Sequence, residues 1–352
     1  MERKISEISN LVSKKISSSL LNTNIYISTE NLLPNFGGIT TAASIPDGNV
    51  TAFQENDILL SNIRPYFKKI WFSKFEGGCS NDVLVIRANH DVLNKYLFYA
   101  LNNEDFINYY VASCKGTKMP RGNKDALLDW RIDVPSISEQ QHIVDTIGSV
   151  DDLIENYQLQ IKNLMSFGLT KINALNDSKE HYPLSNISKF EKGIEIGSSN
   201  YIEKEDDDLI YYLRVGDLLS ISNTFIYKEI AQNNAIEDDI LVAFDGAPGR
   251  NNIGLSGSFS SGIYKVLCDG KYKGLIFFEI NSRHNQKIIT DHSQGTTILH
   301  ASKAIQYLEY SNCDDKDLKL YNNLFNRLVS LKKQIALLQQ DKKTLLNKYF
   351  TK

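Results

Sequence analysis

Ser138-Glu139-Gln140-Gln141-His142-Ile143 opens a run in which Ile143, Ile147, Val150, Ile154, Tyr157, Ile161 and Leu164 recur at spacings of four and three. That spacing lays them along one seam of an α-helix, the pattern of a helix that packs lengthwise against another helix. Its start is marked. Pro135 disfavours helix before it, Ser138 with Gln141 fits a capping box, and Glu139 suits the positive end of a helix dipole. The pattern weakens at Gly168 and ends near Leu175, which predicts a helix over 139–175. At about 1.5 Å per residue it would span roughly 55 Å. A second seam follows at Tyr321, Leu324, Leu328, Leu331, Ile335 and Leu338, then Leu345 and Tyr349.

Outward from the seams, the sequence repeats itself. Glu55-Asn56-Asp57-Ile58-Leu59-Leu60 is answered 182 positions later by Glu237-Asp238-Asp239-Ile240-Leu241-Val242. Lys115-Gly116-Thr117-Lys118-Met119 is answered after 179 positions by Gln294-Gly295-Thr296-Thr297-Ile298. Ile154, Tyr157, Ile161 and Leu164 are answered after 174 by Leu328, Leu331, Ile335 and Leu338. A period this long is a duplicated domain and not a solenoid repeat. Residues 1–136 read as one mixed α/β domain, 137–178 as a helix, 179–312 as a second mixed domain and 313–352 as a second helix.

Strand-like runs in the first domain are 25–28, 57–60, 70–72 and 83–86, with helical stretches near 92–101 and 104–113; the second has strand candidates at 209–215, 239–244, 262–267 and 275–280, and a glycine-rich loop over 245–262. If the first helix carries the second domain to its far end, the second helix runs back, and the seams meet as an antiparallel pair with pseudo-twofold symmetry. The expected fold class is α/β (α+β): two similar mixed domains and a two-helix antiparallel coiled coil. Two amphipathic helices packed separately on their own domains are the other arrangement the pattern allows.

A chain of 352 residues suits two domains. Four cysteines, Cys79, Cys114, Cys268 and Cys313, stand far apart without a Cys-x-x-Cys, as reduced thiols of a cytoplasmic protein do. No signal segment or membrane-length apolar run is expected. The net charge of −3 argues against an obligate nucleic-acid binder, but charge is unevenly placed. Arg64, Lys68, Lys69 and Lys74 share a stretch without acids, as do Lys115, Lys118, Arg121 and Lys124. Glu203–Asp208, acidic at five of six positions, reads as a solvated turn. Basic stripes on a near-neutral protein fit DNA binding through part of the surface.

Sequence-specific contacts need Arg for guanine, Asn or Gln for adenine, and Ser or Thr more loosely. The candidates in the first half are Arg64, Tyr66, Lys68, Lys69, Lys115, Thr117, Lys118, Arg121, Asn123 and Lys124. In the second half they are Arg250, Asn251 and Asn252 after the Gly246-Ala247-Pro248-Gly249 turn, then Thr296, Thr297, His300, Ser302 and Lys303. Each has a plainer reading as an exposed loop, and Tyr66 as a packing residue. No Walker lysine, dinucleotide fingerprint, methyltransferase motif or nuclease cluster is found, so no cofactor is expected. His142 reads as a surface residue. His284, His292 and His300 are too dispersed to suggest a metal site, and none is expected.

These residues resemble the DNA-specificity subunits of type I restriction–modification enzymes. The resemblance rests on Tyr26-Ile27-Ser28-Thr29-Glu30-Asn31-Leu32, Asn56-Asp57-Ile58-Leu59, Ile63-Arg64-Pro65-Tyr66, Gly116-Thr117-Lys118-Met119-Pro120-Arg121 and the Pro135, Glu139-Gln140-Gln141 helix start. In the second half it rests on Tyr212-Leu213-Arg214-Val215-Gly216-Asp217 and on Asp239-Ile240-Leu241 through Gly249. The sequence departs from the pattern at the second helix, where Asn312-Cys313-Asp314-Asp315-Lys316 stands in place of a Pro…Glu-Gln start. The resemblance implies a non-catalytic subunit with two target-recognition domains, each reading half of a split DNA target, while the helices set the gap. It implies partners: double-stranded DNA, methyltransferase subunits and, in the full complex, restriction–translocase subunits. The rival readings are a coiled-coil adaptor joining two protein-binding domains, and a self-contained methyltransferase or nuclease.

Overall fold

The structure is a computed structural model that describes residues 1–116, 118–203, 206–219, 224–295 and 299–351. Thr117, Thr296, Thr297 and positions 204–205 of the acidic run lie outside the described residues. The chain divides into two compact units, 1–153 with 339–352, and 154–338. No described helix is long and apolar enough to cross a membrane.

In the first unit an antiparallel sheet runs Ser9–Leu11, Val83–Ala88, Ile58–Ser61, Ile70–Phe72. Its central strands carry apolar runs over 83–86 and 58–60 because both faces are buried there. Ile58, Leu60, Leu84 and Ile86 enter one cluster with the helices Asn94–Leu101 and Glu104–Ala112. Leu59, Val83 and Val85 alternate into a second cluster with Phe53 and Trp71. A second sheet of Lys15–Ser17, Asn49–Phe53, Gly77–Cys79 and Tyr26–Ile27 contains one parallel pair, Tyr26–Ile27 on Gly77–Cys79. Glu2–Lys4 pairs with Arg131–Asp133 as a ribbon just before the first long helix.

The second unit repeats this plan. Ser188–Lys192, Ile263–Cys268, Leu241–Ala243 and Asn251–Asn252 form the antiparallel sheet. Phe225–Tyr227, Leu209–Leu213, Gly257–Phe259 and Asn234–Ala235 form the sheet with one parallel pair, and His181–Pro183 pairs with Glu309–Ser311. Alternation recurs: Val242 and Phe244 face one cluster, Leu241 and Ala243 the other. The copies differ in their fourth strand. In the first unit it flanks the antiparallel neighbour of the central strand Gly77–Cys79, and in the second the parallel neighbour of Gly257–Phe259. The repeated aspartates share one local task. Asp57 accepts from Gln54 N at 2.8 Å and Asp239 from Ile236 N at 3.0 Å, each closing the turn before its strand.

Two expectations are overturned. The stretch 245–262, read as a loop, contains the strands Asn251–Asn252 and Gly257–Phe259. Residues 275–280, read as a strand, belong to a helix, Lys273–Asn281. Leu275 through Ile280 are all buried, so the segment shows no amphipathic period, and an apolar run of that length fits strand and helix alike. Its counterpart Asn94–Leu101 leaves Asn94, Lys95 and Phe98 half-buried along one side, and is legible as a helix.

The first long helix is Ile137–Asn176 and the second Asp315–Phe350. The first starts two residues earlier than expected because its capping box is Ser136 with Glu139. Glu139 accepts from Ser136 N at 3.0 Å, and Glu139 N reaches back to Ser136 Oγ at 3.4 Å. Gln141 bonds Asp145 instead. Gln140, fully buried, accepts from Leu93 N and donates to the carbonyls of Asp91 and Pro135. Gly168 does not end the helix; it lets Phe278 pack against the helix backbone.

The helices run antiparallel within each unit. In the first, Asp151 binds Lys342 at 2.6 Å, and Tyr96 bonds Asp133 O, just ahead of the first helix, while its ring meets Phe350. In the second, Gln160 accepts from Arg327 at 2.9 Å, and Asn176 accepts from Ser311 at 2.8 Å. Ile147, Leu324, Leu328 and Leu331 are buried; Ile143, Val150, Ile154, Tyr157, Ile161, Leu164, Ile335 and Leu338 are half-buried. The helix starts lie 178 positions apart, as do the ribbon strands Arg131–Asp133 and Glu309–Ser311. The seam residues matched after 174 positions are thus about one helical turn out of register, since a heptad seam superimposes on itself after four residues nearly as well.

Candidate nucleic-acid interface

Two segments singled out separately, 61–69 and 115–124, form one surface. Lys115 and Arg121 exchange both backbone hydrogen bonds at 3.0 Å, closing a loop. Arg64 N then donates to Pro120 O at 2.8 Å, and Gly122 N to Asn62 O at 2.9 Å. The closed loop is stitched to the strand end that carries Arg64. The second unit repeats the stitch. Gln294 and His300 exchange backbone bonds, Gly246 N donates to Leu299 O at 2.8 Å, and Ala301 N to Phe244 O at 2.7 Å. Arg64 and Gly246 hold corresponding places and share the left-handed conformation, at φ 49° and 78°.

The first surface carries backbone strain. Among the described residues six non-glycine residues have left-handed φ, and four of them, Asn35, Phe36, Arg64 and Lys68, meet here. Asn35 N bonds Phe67 O and Phe36 N bonds Lys68 O. Each such residue costs on the order of 1–3 kcal/mol, and such residues concentrate at functional sites. The turn Pro65–Phe67 exposes Tyr66 and Phe67, with ring centroids 4.7 Å apart, and Met119 is exposed on the neighbouring loop. Phe67 and Met119 were not among the expected site residues; an apolar side chain inside a basic segment was the available signal.

The cations divide into committed and uncommitted. Lys68 pairs with Glu104 at 2.6 Å, and Arg121 with Asp82 at 3.0 Å. Lys69 donates to Thr29 O at 2.6 Å, and burial lowers its ammonium below the ordinary lysine range. Lys115, Lys118 and Lys124 are exposed and form no ion pair among the described residues. Asn123 spends its side-chain oxygen on Asp125 N, capping the helix Lys124–Asp129.

In the second unit His300 bonds Asp245 at 2.8 Å, and Ser302 and Lys303 are exposed at the head of a 3-10 segment. The three residues after the Gly246–Gly249 turn point inward. Arg250 donates to Val215 O at 3.2 Å. Asn251 exchanges amide bonds with Asn281. Asn252 donates to Leu218 O and accepts from Lys332. Both amides are engaged within the unit in this structure. Lys332, with its ammonium lowered to about 8 by burial, lines a cleft of about 120 Å³ with Ile161, Met165 and Leu328.

Fold and site together define a duplicated α/β protein whose units each present a loop stitched by the same hydrogen bonds. Residues 1–165 match the family described as type I restriction modification DNA specificity domain. The specificity subunit of the type I restriction enzyme EcoDI of Escherichia coli is 26% identical over 172 residues, 46% of this chain and 37% of that protein. That of the type I restriction enzyme HindI of Haemophilus influenzae is 26% identical over 163 residues, 44% of this chain and 36% of that protein. The chain thus spans little more than a third of the curated relatives it matches. The solved S subunit of a type I restriction–modification system from M. genitalium superposes with a TM-score of 0.57 at 17% identity, covering 99% of this chain and 96% of that one. The match to the specificity-domain family thus covers the first 165 residues, and the likeness along the rest of the chain is one of fold.

Proposed function

We propose that the chain is the sequence-specific DNA-binding subunit of a cytoplasmic type I restriction–modification complex. Residues 1–136 read one half of a bipartite target and 179–312 the other. The chain itself is non-catalytic, and recruits methyltransferase subunits and, in the full complex, restriction–translocase subunits. The observation that carries this reading is the stitched loop. Backbone bonds join 61–69 to 115–124 and present Lys115, Lys118, Arg121 and Lys124 beside the exposed Tyr66, and the same bonds recur in the second unit. Exposed cations bind phosphate and release counterions, while the loop tips supply groups for base edges. The test uses the purified chain with and without its matching methyltransferase subunits. Alone it should neither methylate nor cut DNA; with them, methylation should appear at a split motif, with salt-sensitive DNA affinity. Methylation by the chain alone overturns the non-catalytic role. A complex that assembles without DNA affinity favours the adaptor instead.

A further inference from the structure

We infer that the second unit holds a divalent transition-metal site, of zinc type, built from His181, His284 and Glu309. Among the described residues these are the one group of three potential ligands lying together, with one donor atom of each within 4.8 Å of the others. They come from three elements. His181 opens the ribbon strand His181–Pro183, Glu309 opens its partner Glu309–Ser311, and His284 lies in the first turn of the helix Arg283–Asp291. The imidazole rings stack at 4.3 Å.

The hydrogen-bond arithmetic of His181 argues for a cation. Its Nε2 lies 3.1 Å from Asn176 O. A carbonyl only accepts, so Nε2 carries the proton and Nδ1 of the neutral ring presents a lone pair. That Nδ1 is buried and has no hydrogen-bond partner. The atom it faces is Glu309 Oε2 at 3.9 Å, itself an acceptor and beyond hydrogen-bond reach. Two lone pairs directed at one another, one of them buried, are satisfied by a cation between them. His284 Nε2 lies 2.7 Å from the same carboxylate oxygen and donates its N–H to it; a metal ion at that point would take the place of this proton, which binding would release.

The donor chemistry selects the ion. Two imidazoles and a carboxylate suit zinc and its neighbours, with ligand distances of about 2.0–2.2 Å, whereas magnesium and calcium take oxygen ligands. The surroundings orient the ligands as metal sites require. Nε2–H of His181 rests on a backbone carbonyl, and Asn285 fixes the Glu309 backbone through bonds to its N and O. Once bound, the ion would fasten the ribbon to the helix Arg283–Asp291, next to the end of the first long helix at Asn176. Among its described residues the first unit has no such set. By ribbon register Glu2 and Arg131 stand where His181 and Glu309 do.

The test uses the full chain stripped with a chelator and titrated with Zn2+ by equilibrium dialysis, and with Co2+ followed by its visible d–d bands. One ion per chain is expected. His181→Gln and His284→Gln should each weaken binding about ten-fold or more, while His292→Gln and His300→Gln should leave it unchanged. Absence of stoichiometric binding, or equal loss with the control pair, overturns the site. If a ligand variant fails to fold, diethyl pyrocarbonate labelling of the unaltered chain decides. Zn2+ must protect His181 and His284 selectively, and labelling of both at an undiminished rate overturns the proposal.

Discussion

At the scale of single residues, two side chains make distinct predictions. Lys118 is uncommitted, and Arg121 is held by Asp82 in an exposed pair worth about 0–1 kcal/mol, weak enough to exchange for a phosphate. Replacing both with Ala should lower DNA affinity. If they meet phosphates, the log–log salt slope should fall by roughly one or two units with the motif unchanged. If Arg121 reads a guanine, one motif position should relax by about 1–3 kcal/mol. A folded double variant with wild-type affinity and motif removes the loop from the interface. Glu279 is fully buried; burial raises its carboxyl to about 7, although Ser311 N and Asn176 Nδ2 donate to it. Because the folded pKa lies above the unfolded one, the folded state binds the extra proton. Stability should be highest below about pH 4.5 for this group and decline until about pH 7, by on the order of 3 kcal/mol. Glu279→Gln should flatten that decline in urea melts taken across the range, since the Asn176 amide can reverse against Ser311 Oγ to accept the new NH2. An equally steep decline in the variant would assign it elsewhere.

At the scale of elements, helix packing gives the same substitution opposite consequences. Gly274, in Lys273–Asn281, lies so close to the second long helix that a Cβ there would overlap the backbone of Tyr321. That backbone cannot yield without moving a helix, so Gly274→Ala should destabilise by about 1–3 kcal/mol. Gly148, inside the first long helix, would place its Cβ 3.2 Å from the mobile end of Lys95. Gly148→Ala should be neutral or stabilising by up to about 1 kcal/mol, through helix propensity. Chemical denaturation of both variants checks the ordering, and equal effects would refute the packing account. Helix existence was legible here and helix identity only sometimes. The seams declare themselves by period, and Asn94–Leu101 by the polar Asn94 and Lys95 that open it before a buried run. Lys273–Asn281 is buried along 274–280, so its period is silent and 275–280 reads as a strand; its place in the duplication, opposite Asn94–Leu101, is the signal in the sequence that points to a helix.

At the scale of the molecule, duplication predicts divisible specificity. Residues 1–136 exchanged for those of a relative should change one half of the methylated motif and leave the other intact. Sequencing of modified bases in cells carrying the hybrid and its methyltransferase reads the result. A change in both halves would mean that the two units read DNA as one composite surface.

The sequence by itself determined what is written locally along the chain. Two seams follow from helical period, the duplication from ordered recurrence, and the cationic stretches from composition. Tertiary structure alone decided which distant residues meet. Arg64 lies against Pro120, and His181 beside His284 and Glu309, because strand pairing closes stretches of dozens of residues or more. It also decided which polar groups are spent internally, as with Asn251 on Asn281 and Asn252 on Lys332. No local pattern carries such closures. They follow from the burial and hydrogen-bond satisfaction of the whole unit, in which each buried polar group must find a partner wherever the chain places one.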